Sequence, residues 1–220
     1  EKTSSAAYNY RGTLSKIGAS STIKLNASNA DGSFTISYTL PEDSYQLQIN
    51  AAGANFAAGD EKLFIDWQID ALRTEKSMKT ERQIATVYYW NEEDYHSLSV
   101  GAEDDEEEKD VKWIAYKQHF FSSILQTATP IQTSKMAIAT YEGEELSKRM
   151  RSENYVSTVN GSFDLPLKVY YGPNKYKRLV AFDEGYEDVV DFGWGIFGWI
   201  NRGVIIRIFD WLDLYGLNYG

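Results

Sequence analysis

The stretch Phe34-Thr-Ile-Ser-Tyr-Thr-Leu40, with Pro41-Glu-Asp43 and Tyr45-Gln-Leu-Gln-Ile49 after it, decides the fold. Apolar and polar residues alternate on both sides of the proline, as they do in strands with one buried and one solvated face. The Pro-Glu-Asp insert has turn chemistry, because proline presets one backbone dihedral angle and aspartate offers an acceptor to nearby backbone N–H groups. The stretch therefore predicts an antiparallel hairpin.

Similar alternation continues through most of the first three quarters of the chain. Many strands joined by short polar connections, without regular intervening helices, favour an antiparallel sandwich over a doubly wound sheet. The segment 120–128 is compatible with a short helix or with a continuing strand. We expect a mainly β fold. The further runs with strand character are residues 63–69, 84–90, 111–120, 135–141, 155–160 and 163–171.

Composition narrows the chemistry open to this chain of 220 residues. It has no cysteine, which excludes thiolate chemistry, and its two histidines, His96 and His119, argue against a multi-histidine metal centre. The formal net charge of −10 argues against nucleic-acid binding, which needs Lys and Arg clusters that outnumber local acids. At 15% aromatic residues the chain differs from acidic disordered sequences, so it should fold. We predict neither a metal nor a cofactor.

One charge run stands out by its position. Residues 103–110, Glu-Asp-Asp-Glu-Glu-Glu-Lys-Asp, place seven acids in eight positions between two strand-like segments. Like-charge blocks repel themselves and stay solvated, so the run predicts a mobile hairpin tip. The alternative is a calcium site or a docking segment for a basic partner, although the run lacks the alternating ligands and the glycine of an EF-hand loop.

The pattern changes after Tyr171. Gly172-Pro173 predicts a strand-to-helix junction, and residues 175–182 predict a short helix. Residues 200–215 form an amphipathic helical pattern, and their tryptophans resemble those that settle at a membrane headgroup boundary. Three interpretations stay open: a helix docked on a sheet, on a membrane surface, or in the groove of a protein partner. The candidate membrane-interface residues are Trp194, Phe197, Trp199, Ile200, Val204, Ile208, Trp211, Leu212 and Tyr215.

Several motifs together resemble one known family. The motifs are Tyr170-Tyr-Gly-Pro173, Val190-Asp-Phe-Gly-Trp194, Asn218-Tyr-Gly220, Trp113-Ile-Ala-Tyr-Lys-Gln-His-Phe-Phe-Ser-Ser-Ile-Leu125, and Glu81-Arg-Gln83 leading into Thr86-Val-Tyr-Tyr89. They are similar to the large periplasmic domain of YidC-type membrane protein insertases from Gram-negative bacteria. The resemblance covers about residues 81–220, whereas residues 1–80 match only in their strand-rich texture.

The resemblance implies an antiparallel β-supersandwich over residues 1–171, related in shape to galactose-mutarotase-like domains. Over residues 172–220 it implies a helical linker with an amphipathic interfacial helix, leading to a transmembrane helix. A family domain usually has more strand-rich sequence before the position of Glu1, so we expect the chain to be N-terminally trimmed. The insertase groove, with its arginine, would lie in helices beyond Gly220.

The resemblance also implies a function and a location. The domain would be non-catalytic, would face the periplasm at the bacterial inner membrane, and would support insertion and folding of inner-membrane proteins. The implied partners are nascent inner-membrane proteins, the Sec translocon components SecDF and SecYEG, and the lipid surface.

A carbohydrate- or ligand-binding sandwich module is the alternative function. Its candidate residues are Trp67, Trp90 and Trp113, whose rings would either line a cleft or simply fill the core. A galactose-mutarotase-like enzyme would need His119 as a base with an oriented partner, whereas His96 has the surroundings of a surface residue. The chain has no Gly-x-Ser-x-Gly, His-Glu-x-x-His or phosphate-loop motif, so we expect no enzymatic activity.

Overall fold

The computed structural model describes residues 9–29, 32–54, 62–91, 94–101, 103–143, 145–157, 162–190 and 211. Within these ranges the fold is mainly antiparallel β, which confirms the predicted class. The strands are β1 Asn9–Ile17, β2 Ser20–Ser28, β3 Ser33–Pro41, β4 Gln46–Ala54, β5 Lys62–Leu72, β6 Thr86–Asn91, β7 Asp94–Ser97, β8 Glu103–Lys117, β9 Phe121–Thr140, β10 Leu146–Ser157 and β11 Phe163–Pro173. The helices are α1 Met78–Ile84, α2 Tyr176–Val180 and a 3₁₀ helix, Tyr186–Val189.

The hairpin predicted from residues 34–49 is confirmed as β3 and β4. The two strands pair antiparallel with Tyr38 opposite Ile49. In the turn, Asp43 has a positive φ of 55°, and the Ser44 N–H donates to the Pro41 carbonyl at 3.3 Å. Aspartate tolerates the left-handed conformation better than most residues, so the Pro-Glu-Asp sequence suits this turn.

One long strand, β9, organises the sheet. Nine strands follow the order β1-β2-β3-β4-β11-β9-β8-β6-β7, while β10 pairs with β9 and β5 pairs with β10. Residues 121–127 of β9 pair with β11, and residues 133–140 pair with β10. Pro130, which has no N–H to donate to a ladder, lies between the two halves. The segment left open between helix and strand is therefore strand, and β9 passes through both layers of a sandwich.

The core lies between two groups of strands, β6 and β8 on one side and β5 and β10 on the other. Tyr116 of β8 is fully buried, and its ring stacks on Trp67 of β5 with the ring centroids 4.1 Å apart. The Tyr116 hydroxyl donates to the Trp67 carbonyl at 2.8 Å and lies 2.9 Å from the Ser152 hydroxyl. Burial raises the pKa of Tyr116 above its usual value. The fully buried apolar side chains around this contact include Val87, Leu98, Val111, Ile114, Ile131 and Met150.

The expectation that residues 103–110 form a mobile hairpin tip is wrong. They are the first half of β8 and pair with β9, from Glu103 opposite Ala139 to Lys109 opposite Thr133. Every second acid of this run is half-buried, at Asp104, Glu106 and Glu108. The acidic run is thus one half of a long strand. The other half is residues 111–117 of the strand predicted over 111–120, whose last three residues lie in the loop before β9.

Fixed donors explain how so acidic a segment forms a strand. The Tyr89 hydroxyl donates to the Glu106 carboxylate at 2.6 Å, and the Ser99 N–H donates to the Asp104 carboxylate at 2.6 Å. On the other face, Glu107 lies 3.5 Å from the ammonium group of Lys135. These charge-assisted contacts offset the repulsion between neighbouring carboxylates. Burial and the nearby Glu106 carboxylate raise the pKa of Tyr89, so Tyr89 stays a donor at neutral pH.

The helix α1 was not predicted, and the run expected as strand over 84–90 becomes strand only at Thr86. Ser77 caps the helix, because its hydroxyl accepts the Thr80 N–H at 3.3 Å. Serine at this position satisfies one of the backbone donors that a helix start leaves unpaired.

Glu81 and Arg82 belong to one of the resemblance motifs and hold α1 in place. One Glu81 carboxylate oxygen accepts the Thr74 N–H at 2.7 Å and the Glu75 N–H at 2.8 Å. Burial acts to raise the pKa of Glu81, but hydrogen bonds from Thr74 and Glu75 outweigh it and keep that pKa below its usual value. Arg82 donates to backbone carbonyls of the loop between β9 and β10. The motif therefore joins α1 to two loops.

By backbone proximity the chain divides into two compact units, Glu1–Asn174 and Lys175–Gly220. The sequence places a domain boundary after Tyr171, inside β11. In the second unit, the described residues form α2, where a short helix is predicted, and the 3₁₀ helix that follows it.

Candidate functional site

The aromatic-Gly-Pro motif at the end of β11 is held by close contacts. Tyr170 is fully buried, and its hydroxyl donates to the Pro173 carbonyl at 2.7 Å. Gly172 has no room for a side chain, since an added Cβ would lie 2.5 Å from the Tyr170 hydroxyl oxygen and 2.9 Å from the Tyr45 Cβ. The Tyr170 side chain thus reaches along the strand to Pro173, the last residue of β11, where the chain leaves the sheet.

Asn174 ties this junction to the loop between β8 and β9. Its backbone N–H donates to the Phe120 carbonyl at 2.8 Å. Its side-chain amide donates to the Gln118 carbonyl at 2.9 Å and to the His119 carbonyl at 3.3 Å. Two motifs far apart in sequence, the tryptophan-led strand motif and the aromatic-Gly-Pro motif, are therefore neighbours.

Four exposed aromatic side chains surround the junction, and we call Tyr45, Phe120, Phe121 and Tyr171 the junction patch. Each leaves between 44% and 56% of its surface accessible. Strand pairing brings them together, because Phe121 lies opposite Pro173 and the Tyr171 N–H donates to the Tyr45 carbonyl at 2.8 Å. Exposed rings grouped at one end of a sheet suit an apolar or amphipathic partner. In the sequence, the signal for this patch is the pair Phe120-Phe121 at the start of β9, which was not predicted as a surface site.

His119 lies in the same loop. Its Nδ1 hydrogen-bonds the Glu75 carboxylate, and its ring stacks on Phe120 with the centroids 4.2 Å apart. Since Glu75 lies in the loop between β5 and α1, the pair joins that loop to the loop between β8 and β9. His96, in β7, is exposed, and its ring stacks on Tyr89.

The structure brings together two of the three tryptophans that were candidates for a ligand cleft. Trp90 and Trp113 lie opposite each other on β6 and β8, with their ring centroids 6.0 Å apart. Trp67 instead stacks on Tyr116. Trp113 is fully buried, whereas Trp67 and Trp90 are half-buried. A ligand-binding role for them stays a prediction, and the burial of Trp113 is what a core residue would show.

Most of the candidate membrane-interface residues lie outside the described ranges. The exception is Trp211, which is helical and 57% exposed. The amphipathic helix therefore stays a prediction. The residues outside the description are Trp194, Phe197, Trp199, Ile200, Val204, Ile208, Leu212 and Tyr215.

The described residues contain neither a metal-binding cluster nor a membrane-spanning helix. Among them, no three or more His, Asp or Glu side chains are grouped so that they could hold a metal ion. None of the described helices has the length and apolar character needed to cross a membrane.

Lys148 of β10 is a fully buried cation beside the C-terminal end of α1. Its Nζ donates to the Ala85 carbonyl at 2.8 Å and to the Val100 carbonyl at 3.1 Å. Removal from water disfavours the ammonium form and lowers the pKa of Lys148 to about 8. Lys148 thereby holds the end of α1 and the loop before β8 together, at a cost in free energy while it is charged.

Stability should therefore rise with pH above neutrality. Between the lowered pKa of Lys148, about 8, and the ordinary lysine value of 10.5, the unfolded chain binds the proton more tightly than the folded chain. The free energy of unfolding should increase by about 2 kcal/mol from pH 7 to pH 10. Urea unfolding at intervals across this range measures it, and Lys148→Met should lack this increase. An equal increase in Lys148→Met would contradict the assignment.

The fold and the junction define a class, namely a mainly antiparallel β-sandwich domain whose last strand ends in a tightly packed aromatic-Gly-Pro motif. The sequence matches the family model described as the YidC periplasmic domain over residues 2–206. The chain belongs to the YidC periplasmic domain family.

Curated relatives agree with this assignment. The membrane protein insertase YidC of Parabacteroides distasonis is 32% identical over 198 residues, which cover 83% of this chain and 31% of that protein. The membrane protein insertase YidC of Bacteroides fragilis is 29% identical in an alignment of 235 residues. This alignment covers 96% of this chain and 36% of that protein. The chain thus spans about a third of the length of these relatives.

Among solved structures, Slr1438 from Synechocystis sp. PCC 6803 has a TM-score of 0.45 and 12% sequence identity, over 74% of this chain and 65% of that one. The family assignment places the domain on the periplasmic side of the bacterial inner membrane. It is an assignment to an insertase domain rather than to an enzyme, as the sequence led us to expect.

Proposed function

We propose that this chain is a non-catalytic accessory domain of a membrane protein insertase and supports insertion and folding of inner-membrane proteins. The observation that carries the proposal is the family match over residues 2–206, together with relatives that are named insertases. Its proposed partners are nascent inner-membrane proteins and the Sec translocon components SecDF and SecYEG. The domain would position these partners near the membrane rather than carry out chemistry on them.

We also propose that residues 192–215 contact the lipid surface. This segment carries an apolar arc and three tryptophans but few cations, so its binding would come mainly from apolar and aromatic burial.

Replacing Trp199 and Trp211 together with glutamate should weaken vesicle binding. Each substitution exchanges a ring suited to the headgroup boundary for a charge that resists burial there. We expect the partition coefficient onto phosphatidylethanolamine–phosphatidylglycerol vesicles to fall at least about tenfold, which corresponds to roughly 1.4 kcal/mol. Co-sedimentation of the chain with vesicles measures this coefficient.

The control adds the same two charges elsewhere. Leu14→Glu plus Tyr95→Glu changes two exposed apolar residues in β1 and β7, and it should leave partitioning within about twofold of the unchanged chain. Unchanged partitioning in the tryptophan variant would refute the membrane contact. Full-length insertase carrying each variant pair, reconstituted in proteoliposomes, then tests whether insertion depends on it.

Titration of the chain with glycans distinguishes the carbohydrate-binding alternative from the insertase-domain function. A sandwich module with an aromatic cleft would give a saturable, sugar-specific change in tryptophan fluorescence. The burial of Trp113 and the stacking of Trp67 on Tyr116 leave Trp90 as the candidate best placed to respond. An insertase domain without a sugar site should show no such response.

A further inference from the structure

A pocket of about 430 Å³ opens beside α1, and none of the features described so far accounts for it. Residues of α1 form one wall, and residues of the loops before β8 and after β9 form the others. Met78 and Val100 contribute apolar surface, whereas Gln83 and Thr140 contribute polar groups. Its volume falls in the range typical of small-molecule sites.

The charge of the pocket is opposite to that of the chain. Two cations, Lys79 and Arg82, line it, and none of its described lining residues is acidic, although the chain carries a net charge of −10. Lys79 and Arg82 are three residues apart on α1, so they share one face of the helix and repel each other. An anion placed between them would relieve this repulsion.

Neither cation has a carboxylate partner among the described residues. One terminal nitrogen of Arg82 donates to the carbonyls of Tyr141 and Gly143, both at 2.7 Å. These are dipoles and leave the charge of the guanidinium uncompensated. The Nε of Arg82 is buried and makes no hydrogen bond to a described group. Lys79 is exposed toward solvent and has no ion pair with a described residue.

A third cation lies behind the pocket wall. The buried Nζ of Lys148 donates to the carbonyl of Val100, a lining residue, and to the carbonyl of Ala85, the residue that caps α1. No carboxylate bonds Lys148 among the described contacts, so it adds positive potential to the same region. Three cations around one pocket, with no acid among the lining residues that the structure describes, favour an anionic occupant.

We propose that this pocket binds a phosphate group, with Lys79 and Arg82 on either side of it and the rest of the ligand against Met78 and Val100. A phosphate has several oxygens that can meet two cations at once, which suits the two side chains on one helix face. A phospholipid headgroup and a soluble phosphate ester present this same chemistry. The proposal does not depend on the insertase role, because none of the pocket's lining residues belongs to the junction patch or to the segment 192–215.

Calorimetric titration of the 220-residue chain with three probes tests the site. The probes are inorganic phosphate, glycerol 3-phosphate and vesicles containing phosphatidylglycerol. We expect saturable binding of at least one probe, weakened fivefold or more by Lys79→Glu. Since Lys79 is exposed, this variant should fold normally, and circular dichroism verifies that. Binding of the soluble probes identifies a free phosphate ligand. Binding of vesicles alone identifies a headgroup in the pocket only if Lys79→Glu weakens it, since the vesicle contact proposed for residues 192–215 does not involve Lys79.

Lys24→Glu is the matched control, because Lys24 is an exposed lysine of β2 and the substitution changes the net charge equally. It should leave the affinity unchanged. Amide resonances of α1 and of residues 98–101 should shift on titration. The site is refuted if no probe binds saturably, if Lys24→Glu weakens binding as much as Lys79→Glu does, or if the shifted resonances lie elsewhere.

Discussion

Tyr116→Ala should lower the free energy of unfolding by about 3–5 kcal/mol, the range measured when a buried aromatic side chain is removed from a core. The ring is fully buried between the layers and stacks on Trp67. Its loss therefore leaves a cavity between the two layers. Tyr116→Phe should cost about 1–2 kcal/mol, because it keeps the ring and removes only the hydroxyl that donates to the Trp67 carbonyl. Urea unfolding followed by tryptophan fluorescence measures both variants.

Tyr95→Ala provides the comparison, since Tyr95 lies on the edge strand β7 and is 44% exposed. We expect it to cost less than about 1 kcal/mol. If Tyr116→Ala were no more damaging than Tyr95→Ala, the two groups of strands would not meet at Tyr116 as described.

Gly172→Ala should cost about 1–3 kcal/mol and disturb the junction itself. The new methyl group would lie 2.5 Å from the Tyr170 hydroxyl oxygen and 2.9 Å from the Tyr45 Cβ, distances that force one of them to move. Loss of the hydrogen bond from Tyr170 to Pro173 should follow. Thermal unfolding measures the stability, and hydrogen exchange at the amides of Tyr171 and Asn174 reports the local opening.

The control for this substitution is Gly101→Ala. There an added Cβ would meet the Ser99 hydroxyl at 3.3 Å, and that hydroxyl lies on a short exposed side chain that can turn away. We expect a change within about 0.5 kcal/mol. Equal damage from both alanines would show that the junction tolerates a side chain at Gly172.

If Gly172→Ala also weakens insertion in the full-length protein while Tyr116→Phe does not, junction geometry matters beyond overall stability. The junction carries the chain from the sheet toward the segment proposed to lie at the membrane. The pair of variants therefore separates the position of the junction from the stability of the core.

Local patterns predicted the strands well where one face is buried. The β3–β4 hairpin follows from strict alternation and the Pro-Glu-Asp turn, and β11 follows from alternation that ends in Gly-Pro. The run 135–141 is the end of a strand that begins at Phe121. Its length was not apparent, because Pro130 interrupts the pattern at the place where β9 changes partners.

The acidic run and α1 show why other elements were missed. The repulsion argument for residues 103–110 considered only neighbours along the chain, whereas Tyr89, Ser99 and Lys135 supply the compensating contacts from elsewhere. The helix α1 has seven residues, too short for a periodic signal to be distinguished from a strand. Ser77 was its best local marker.

By itself the sequence determined the antiparallel β class, the place where strands give way to helix, and the motifs that mark the family. These properties depend on alternation, turn chemistry and residue spacing, which neighbouring residues determine. Only the tertiary structure decided that β9 joins two layers, that the acidic run is a strand, and that the junction patch and the pocket beside α1 exist. Each depends on pairing between segments tens of residues apart, where partners far along the chain supply the hydrogen bonds and counter-charges.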